Sequence, residues 1–290
     1  MSNSEARRFS PSEIELDRRA FRLARKRKST TLVAFVSTIL FAVVAWLSLV
    51  NSPGWPRVEQ SFFNLETAIE ALPAVLEGLM LNLRVLLYSA IGVLVVGLTL
   101  ALLRTLRSPI FTPIRLLARG YVDLFRGLPL IIVLYLVGFG IPGLRLEFLG
   151  RIPVEVLGTL ALTLTYSAYV AEVFRAGIEA VHPSQRLAAR SLGLSYSQTM
   201  RLVVLPQAFR KVAPPLMNDF VSLQKDVGLI SVLGAVDAVR AAQIEVAQFA
   251  NFTPYVVSGL LFVLLAIPTV RAADYVTTRL AKREQAGGVL

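Results

Sequence analysis
Apolar positions along this chain fall into long blocks. They do not show the alternation of a half-buried strand or the narrow stripe of a water-exposed helix. Thr31–Val50 (TLVAFVSTILFAVVAWLSLV) holds no charge at all, and roughly 20 apolar residues in an α-helix cross the hydrocarbon core of a bilayer. Five further blocks follow at about 78–103, within 110–141, and at about 153–174, 212–235 and 252–272. The pattern predicts an all-α integral membrane protein with about six transmembrane helices. The first block is too long for a signal-peptide core, and no small-x-small cleavage site follows it at NSPGW, so it reads as an uncleaved span. Before it, residues 1–28 form a polar, basic tail, solvated at least over 1–17; residues 276–290 form a second tail. No internal repeat is evident.

One polar stretch breaks the pattern differently. His182 to Pro206, between the fourth and fifth blocks, reads as two short helices. Pro183 suits a first helical turn, and SQRLAARSL follows it. Gly193 suits the left-handed C-terminal cap. Ser195 with Gln198 three residues on matches a capping box, and SQTMRLVVL is expected to stop at Pro206. Two capped helices joined at a glycine make a stiff lever, with Ala188 and Ala189 small enough for close approach by another surface. A surface hairpin with no partner would satisfy the same pattern.

Composition changes this picture little, but charge orients it. Hydrophobic residues make up 55% and charged ones 17%, and the net charge is +11. That excess would suit nucleic-acid binding, but its distribution fits the positive-inside rule better. Nine lysines and arginines precede the first span. Arg104 and Arg107 follow the second, six more lie between Arg175 and Lys211, and Arg279, Lys282 and Arg283 follow the sixth. The other side holds Arg57, Arg145, Arg151 and Arg240. Both termini and the lever are therefore expected in the cytoplasm. There is no cysteine and a single histidine, His182, so neither a disulfide nor a multi-histidine metal site is expected.

With the lever and spans placed, a resemblance becomes usable. Ala188, Ala189, Gly193, Val203, Leu205 and Pro206 match the EAA motif of ABC-importer permease subunits; Leu187 stands where the motif has glutamate. Tyr121–Leu130 (YVDLFRGLPL), Ala168–Val181 (AYVAEVFRAGIEAV) and Pro206–Gly234 resemble, in order, three segments of the polar amino-acid branch of that family. Together they cover about residues 75–275, leaving the helix at 29–51 as an added N-terminal element. The resemblance implies a type I ABC-importer permease bundle with a cytoplasmic coupling loop at about 180–206. Ala188, Ala189, Leu192, Gly193, Leu205 and Pro206 would then couple to an ATPase. The implied partners are a second permease chain (the same or a related one), two cytoplasmic ATP-binding subunits, an extracytoplasmic amino-acid-binding protein and the bilayer, with no nucleic acid.

Ionisable groups inside spans are costly and usually face a bundle interior or a wet path. Arg119, Asp123 and Arg126 share a helical face in the third block, so Asp123 is placed to pair with either arginine. Gly127 and Pro129 are expected to bend or break that helix. In the fifth block Asn218, Asp219, Ser222, Lys225 and Asp226 form one polar seam. With Arg126 they are candidates for the path or gate, and interhelical anchoring accounts for them equally well. Glu172 lies three residues before Arg175, as for a local pair, or for a tie between span and lever.

No G-x-x-x-x-G-K-[ST], HExxH or GxSxG occurs. The chain is expected to be no enzyme and to hold no catalytic residue, metal or cofactor, with ATP and magnesium on a partner. The expected function is import of polar amino acids by alternating access. An ion-coupled secondary transporter, with Asp219 and Asp226 as its ion sites, and a non-transporting membrane anchor are the alternatives.

Overall fold
A computed structural model describes residues 13–106, 108–146 and 148–287. Arg107, Glu147 and the ends of both tails, residues 1–12 and 288–290, lie outside the described residues. The chain divides into two compact units, Met1–Gln60 and Ser61–Leu290.

The first unit is dominated by α1, Glu13–Val50. Helix therefore begins inside the stretch expected as solvated tail, because the residues after Glu13 are mostly good helix formers and continue the turn of the span without a breaker. No residue of its segment Leu32–Val50 is buried. At 1.5 Å per residue this segment reaches about 29 Å, the thickness of a bilayer core. Such a bare apolar surface is suited to lipid rather than to water. Trp46 meets Trp55 edge-on at 6.2 Å, where the chain turns into the short α2, Trp55–Phe62.

The second unit is a helical bundle. α3 (Leu65–Thr105) is capped by Asn64, whose side chain accepts from the Thr67 N–H. α4 (Thr112–Gly127) and α5 (Leu130–Tyr135) meet at 108°, with the break at Leu128–Pro129 where glycine and proline had placed it. A π turn and the short α6 (Ile141–Gly143) end this excursion. α7 (Val154–Glu179) packs along α3 and α10 (Leu205–Asp226). The lever, α8 (Pro183–Ser191) and α9 (Tyr196–Thr199), lies between them in sequence. α10 runs on as a 3-10 segment to Leu233, turns 51° and continues as α11 (Ala238–Phe249). α12 (Thr253–Gly287) closes the bundle.

Among the described residues, four helices are long and apolar enough to cross a membrane, and up to six spans result if each bent pair counts as one. The fifth block is thus longer than the apolar run predicted. α11 is a helix where only a connecting segment with Arg240 was expected, because its polar residues hid its apolar face. Ala238, Ala241 and Ala242 are buried, and α11 packs against α3 and α12.

The core lies where α3, α5, α7 and the 3-10 end of α10 meet, around Val85, Leu134, Leu157, Leu162, Phe174 and Ile230. Small residues set the helix spacing, as is usual where lipid supplies no hydrophobic drive between helices. A Cβ on Gly177 of α7 would stand 2.1 Å from Val212 Cγ1 of α10.

Candidate functional site: the lever and the polar face of α10
The lever forms as its sequence dictates. The His182 ring nitrogen accepts from the Ser184 N–H to start α8. Gly193 adopts φ +81, a left-handed conformation that costs a residue with a Cβ about 1–2 kcal/mol. The Gly193 and Leu194 N–H groups then donate back to Arg190 O at 3.0 Å and Ala189 O at 3.2 Å. The Ser195–Gln198 capping box is complete: Ser195 Oγ accepts from the Gln198 N–H, and Gln198 Oε1 accepts from the Ser195 N–H. Ala189 is buried and Ala188 exposed. Leu187 and Leu192 stand 68% and 82% exposed, two bare apolar groups on a basic element.

Pro206 does not end the second helix. α9 passes through a π turn, Met200–Val204, into α10 without a gap. A proline inside an α-helix crowds the carbonyl four residues back; a wider π turn just before it relieves that conflict. Pro206 itself is exposed, while Leu205 packs on Ile178, Val181, Val204 and Ala208. The lever is therefore continuous with a span.

Glu172 makes the local pair with Arg175, but its second partner is Arg104 of α3 and not a residue of the lever. It accepts from Arg175 on its own helix and from Arg104 Nη1 of α3 at 2.8 Å. Arg175 also reaches Glu179 at 2.6 Å. The ion-pair chain joins the ends of α3 and α7 beside the lever.

The polar seam of α10 divides. Asn218 and Lys225 are exposed, and Asp219, Ser222 and Asp226 are half-buried. Asp226 accepts from the Tyr166 hydroxyl of α7 at 2.7 Å. Asp219 lines an apolar cavity of about 320 Å³ with Tyr166, Val170, Phe209, Phe220 and Leu223, and its buried Oδ2 has no hydrogen-bond partner among the described residues. Arg126 is exposed, with its guanidinium 5.9 Å from the centre of the Tyr169 ring. Asp123 pairs with neither arginine among the described residues. It is exposed, where an ion pair gains little, and Arg126 is drawn to the ring instead. Tyr166 and Tyr169 were missed in the sequence. The signal was there: two hydroxyls three residues apart on an apolar span, each needing a partner.

The chain as a whole is similar to known proteins in sequence and in fold. Residues 93–282 match the family described as binding-protein-dependent transport system inner membrane component. The chain belongs to that family. It is 35% identical over 206 residues to the arginine transport system permease protein ArtQ of Bacillus subtilis (strain 168), covering 70% of this chain and 91% of that protein. It is 36% identical over 194 residues to the probable glutamine ABC transporter permease protein GlnM of the same organism, covering 66% and 86%. Among solved structures, an amino acid ABC transporter crystallised with histidines matches with a TM-score of 0.68 at 32% identity, covering 74% of this chain and 98% of that one. An inward-facing MetNI methionine ABC transporter matches in fold, with a TM-score of 0.59 at 18% identity over 71% of this chain and 96% of that one.

Proposed function
We propose that this family member is the permease subunit of an ATP-driven importer for polar amino acids, working by alternating access in the cytoplasmic membrane with both termini inside. The observation that carries the reading is the lever. It is locked at both caps, presents Leu187 and Leu192 bare, and continues into α10 without a break. A push on α8 reaches the polar face of α10 through the capped turn at Gly193 and then through continuous helix from α9, which a flexible loop could not do. The relatives whose names specify arginine or glutamine support an amino-acid cargo.

In this reading two permease chains form the pathway, two ATPase subunits grip the levers, and an extracytoplasmic binding protein delivers cargo. ATP and magnesium belong to the ATPase. A ligand shifts a conformational equilibrium only through unequal affinity for its two states. ATP does so through the lever, and the loaded binding protein through the outer surface. Arg126 and Lys225 offer cationic groups and Asp219 and Asp226 acidic ones, both signs that a zwitterion presents. Ala188, Ala189, Leu192, Gly193, Leu205 and Pro206 remain the coupling candidates.

The test is co-purification with candidate ATPase subunits followed by reconstitution. Leu192→Asp changes a side chain that is 82% exposed, so folding is retained while the ATPase no longer co-purifies. Uptake of a labelled amino acid into proteoliposomes requires ATP, the ATPase and the binding protein. Uptake by this chain alone, driven by an ion gradient, would overturn the reading.

A further inference from the structure
Beside the lever lies a second feature that coupling does not account for. A cavity of about 300 Å³ is walled by Arg104 of α3, Arg119 of α4, Arg175 and Glu179 of α7, Arg186 of α8 and Tyr196 of α9. Four arginines thus converge from four helices on one small space. Two carboxylates face them: Glu172 holds Arg104 and Arg175, and Glu179 holds Arg175. Two positive charges are left over. Arg119 is exposed and has no carboxylate within 4.0 Å among the described residues. Arg186 is fixed by a hydrogen bond from its guanidinium to Ile178 O, yet its Nε is buried without a partner among the described residues.

A buried donor left unsatisfied is uncommon in a native protein and points to a missing acceptor. The acceptor that fits is anionic, because both unpaired groups are guanidiniums. Their planar forks match the oxygens of phosphate. The volume lies at the small end of ligand pockets and has room for a headgroup-sized anion.

We propose that this cavity binds a phosphate-bearing anion, which ties α8 to the ends of α3 and α7 and to the middle of α4. The consequence for coupling rests on the lever reading above; the binding itself does not. Two sources share this chemistry: the headgroup of an anionic phospholipid and soluble phosphate. The experiment is native mass spectrometry of the full chain released from detergent, titrated with phosphatidylglycerol and with phosphatidylcholine. In parallel, inorganic phosphate is added while thermal stability is followed.

For a headgroup, phosphatidylglycerol is retained over phosphatidylcholine, and Arg119→Gln lowers that preference about tenfold, the worth of one charge-assisted hydrogen bond. Arg119→Lys restores part of it. Arg210→Gln, which removes an exposed arginine outside the cavity, leaves it unchanged. For soluble phosphate, the ion alone raises the melting temperature of the wild type and not of Arg119→Gln. The proposal is overturned if neither lipid is preferred and phosphate has no effect, or if Arg210→Gln costs as much as Arg119→Gln. If no ATPase co-purifies but the site-specific preference persists, the coupling account fails and the anion site stands.

Discussion

Asn82 should be the residue on which the bend between α10 and α11 most depends. It is 1% exposed, in the middle of α3. Its Nδ2 donates to Val227 O at 3.2 Å and to Asp237 Oδ2 at 2.9 Å, and its Oδ1 accepts from the Ala238 N–H at 3.0 Å. One side chain thus satisfies three groups at the break, on both sides of it. Asp237 then caps α11 by accepting from the Arg240 N–H at 2.9 Å. Asn82→Leu keeps the fork at Cγ and removes all three bonds. Hydrogen bonds inside membrane proteins average only about 0.6 kcal/mol, because the unfolded chain in lipid also finds partners. Three of them give a loss of about 2 kcal/mol. The carboxylate left with one donor fewer raises this toward about 3 kcal/mol, since bonds to charged groups are worth roughly twice as much. The measurement is unfolding of the full chain by SDS titration in mixed micelles, with hydrogen exchange followed over residues 227–242. We expect the stability loss together with faster exchange at Ala238 and Arg240. A loss under about 0.5 kcal/mol with exchange unchanged would refute the claim that Asn82 holds the break.

Two further predictions concern packing and charge. Gly177→Ala places a methyl group where Val212 Cγ1 already sits, at 2.1 Å, so it should destabilise by about 1–3 kcal/mol. Gly177→Ala combined with Val212→Ala should recover much of that loss, read as coupling in a double-mutant cycle. Glu172→Gln leaves Arg104, whose side chain is 12% exposed, without its counter-charge, and should cost about 1–3 kcal/mol in thermal or SDS unfolding. Glu179→Gln, on a side chain 60% exposed, should cost under about 1 kcal/mol. Equal losses for the two glutamates would show that the Arg104 contact adds nothing.

Much of the lever was legible in the sequence because caps are local. Gly193, Ser195 and Gln198 act on backbone groups within a few residues of themselves, and the structure has each in its expected role. The break at Leu128–Pro129 was legible for the same reason. Pro206 was misread because proline signals a stop only if the preceding turn stays α-helical; the π turn at Met200–Val204 removed that condition. Asp123 was misread because helical spacing states which groups are able to meet, not which alternative partner wins. α11 was missed because its buried face is alanine, which carries little hydrophobic signal.

The sequence by itself determined the class of the molecule. Apolar blocks of bilayer length, a basic capped element between two of them and ordered family-like segments are properties of short stretches, so they survive being read one window at a time. Which polar groups share a neighbourhood was settled by packing alone. Tyr166 meets Asp226 across 60 residues, Asn82 meets Asp237 across 155, and Arg104 meets Glu172 across 68. Each pairing depends on the close approach of two helices, as at Gly78, where a Cβ would stand 2.4 Å from the Asp237 backbone. In a medium without water a polar side chain takes whichever partner the packing brings near, and packing is a property of the whole bundle.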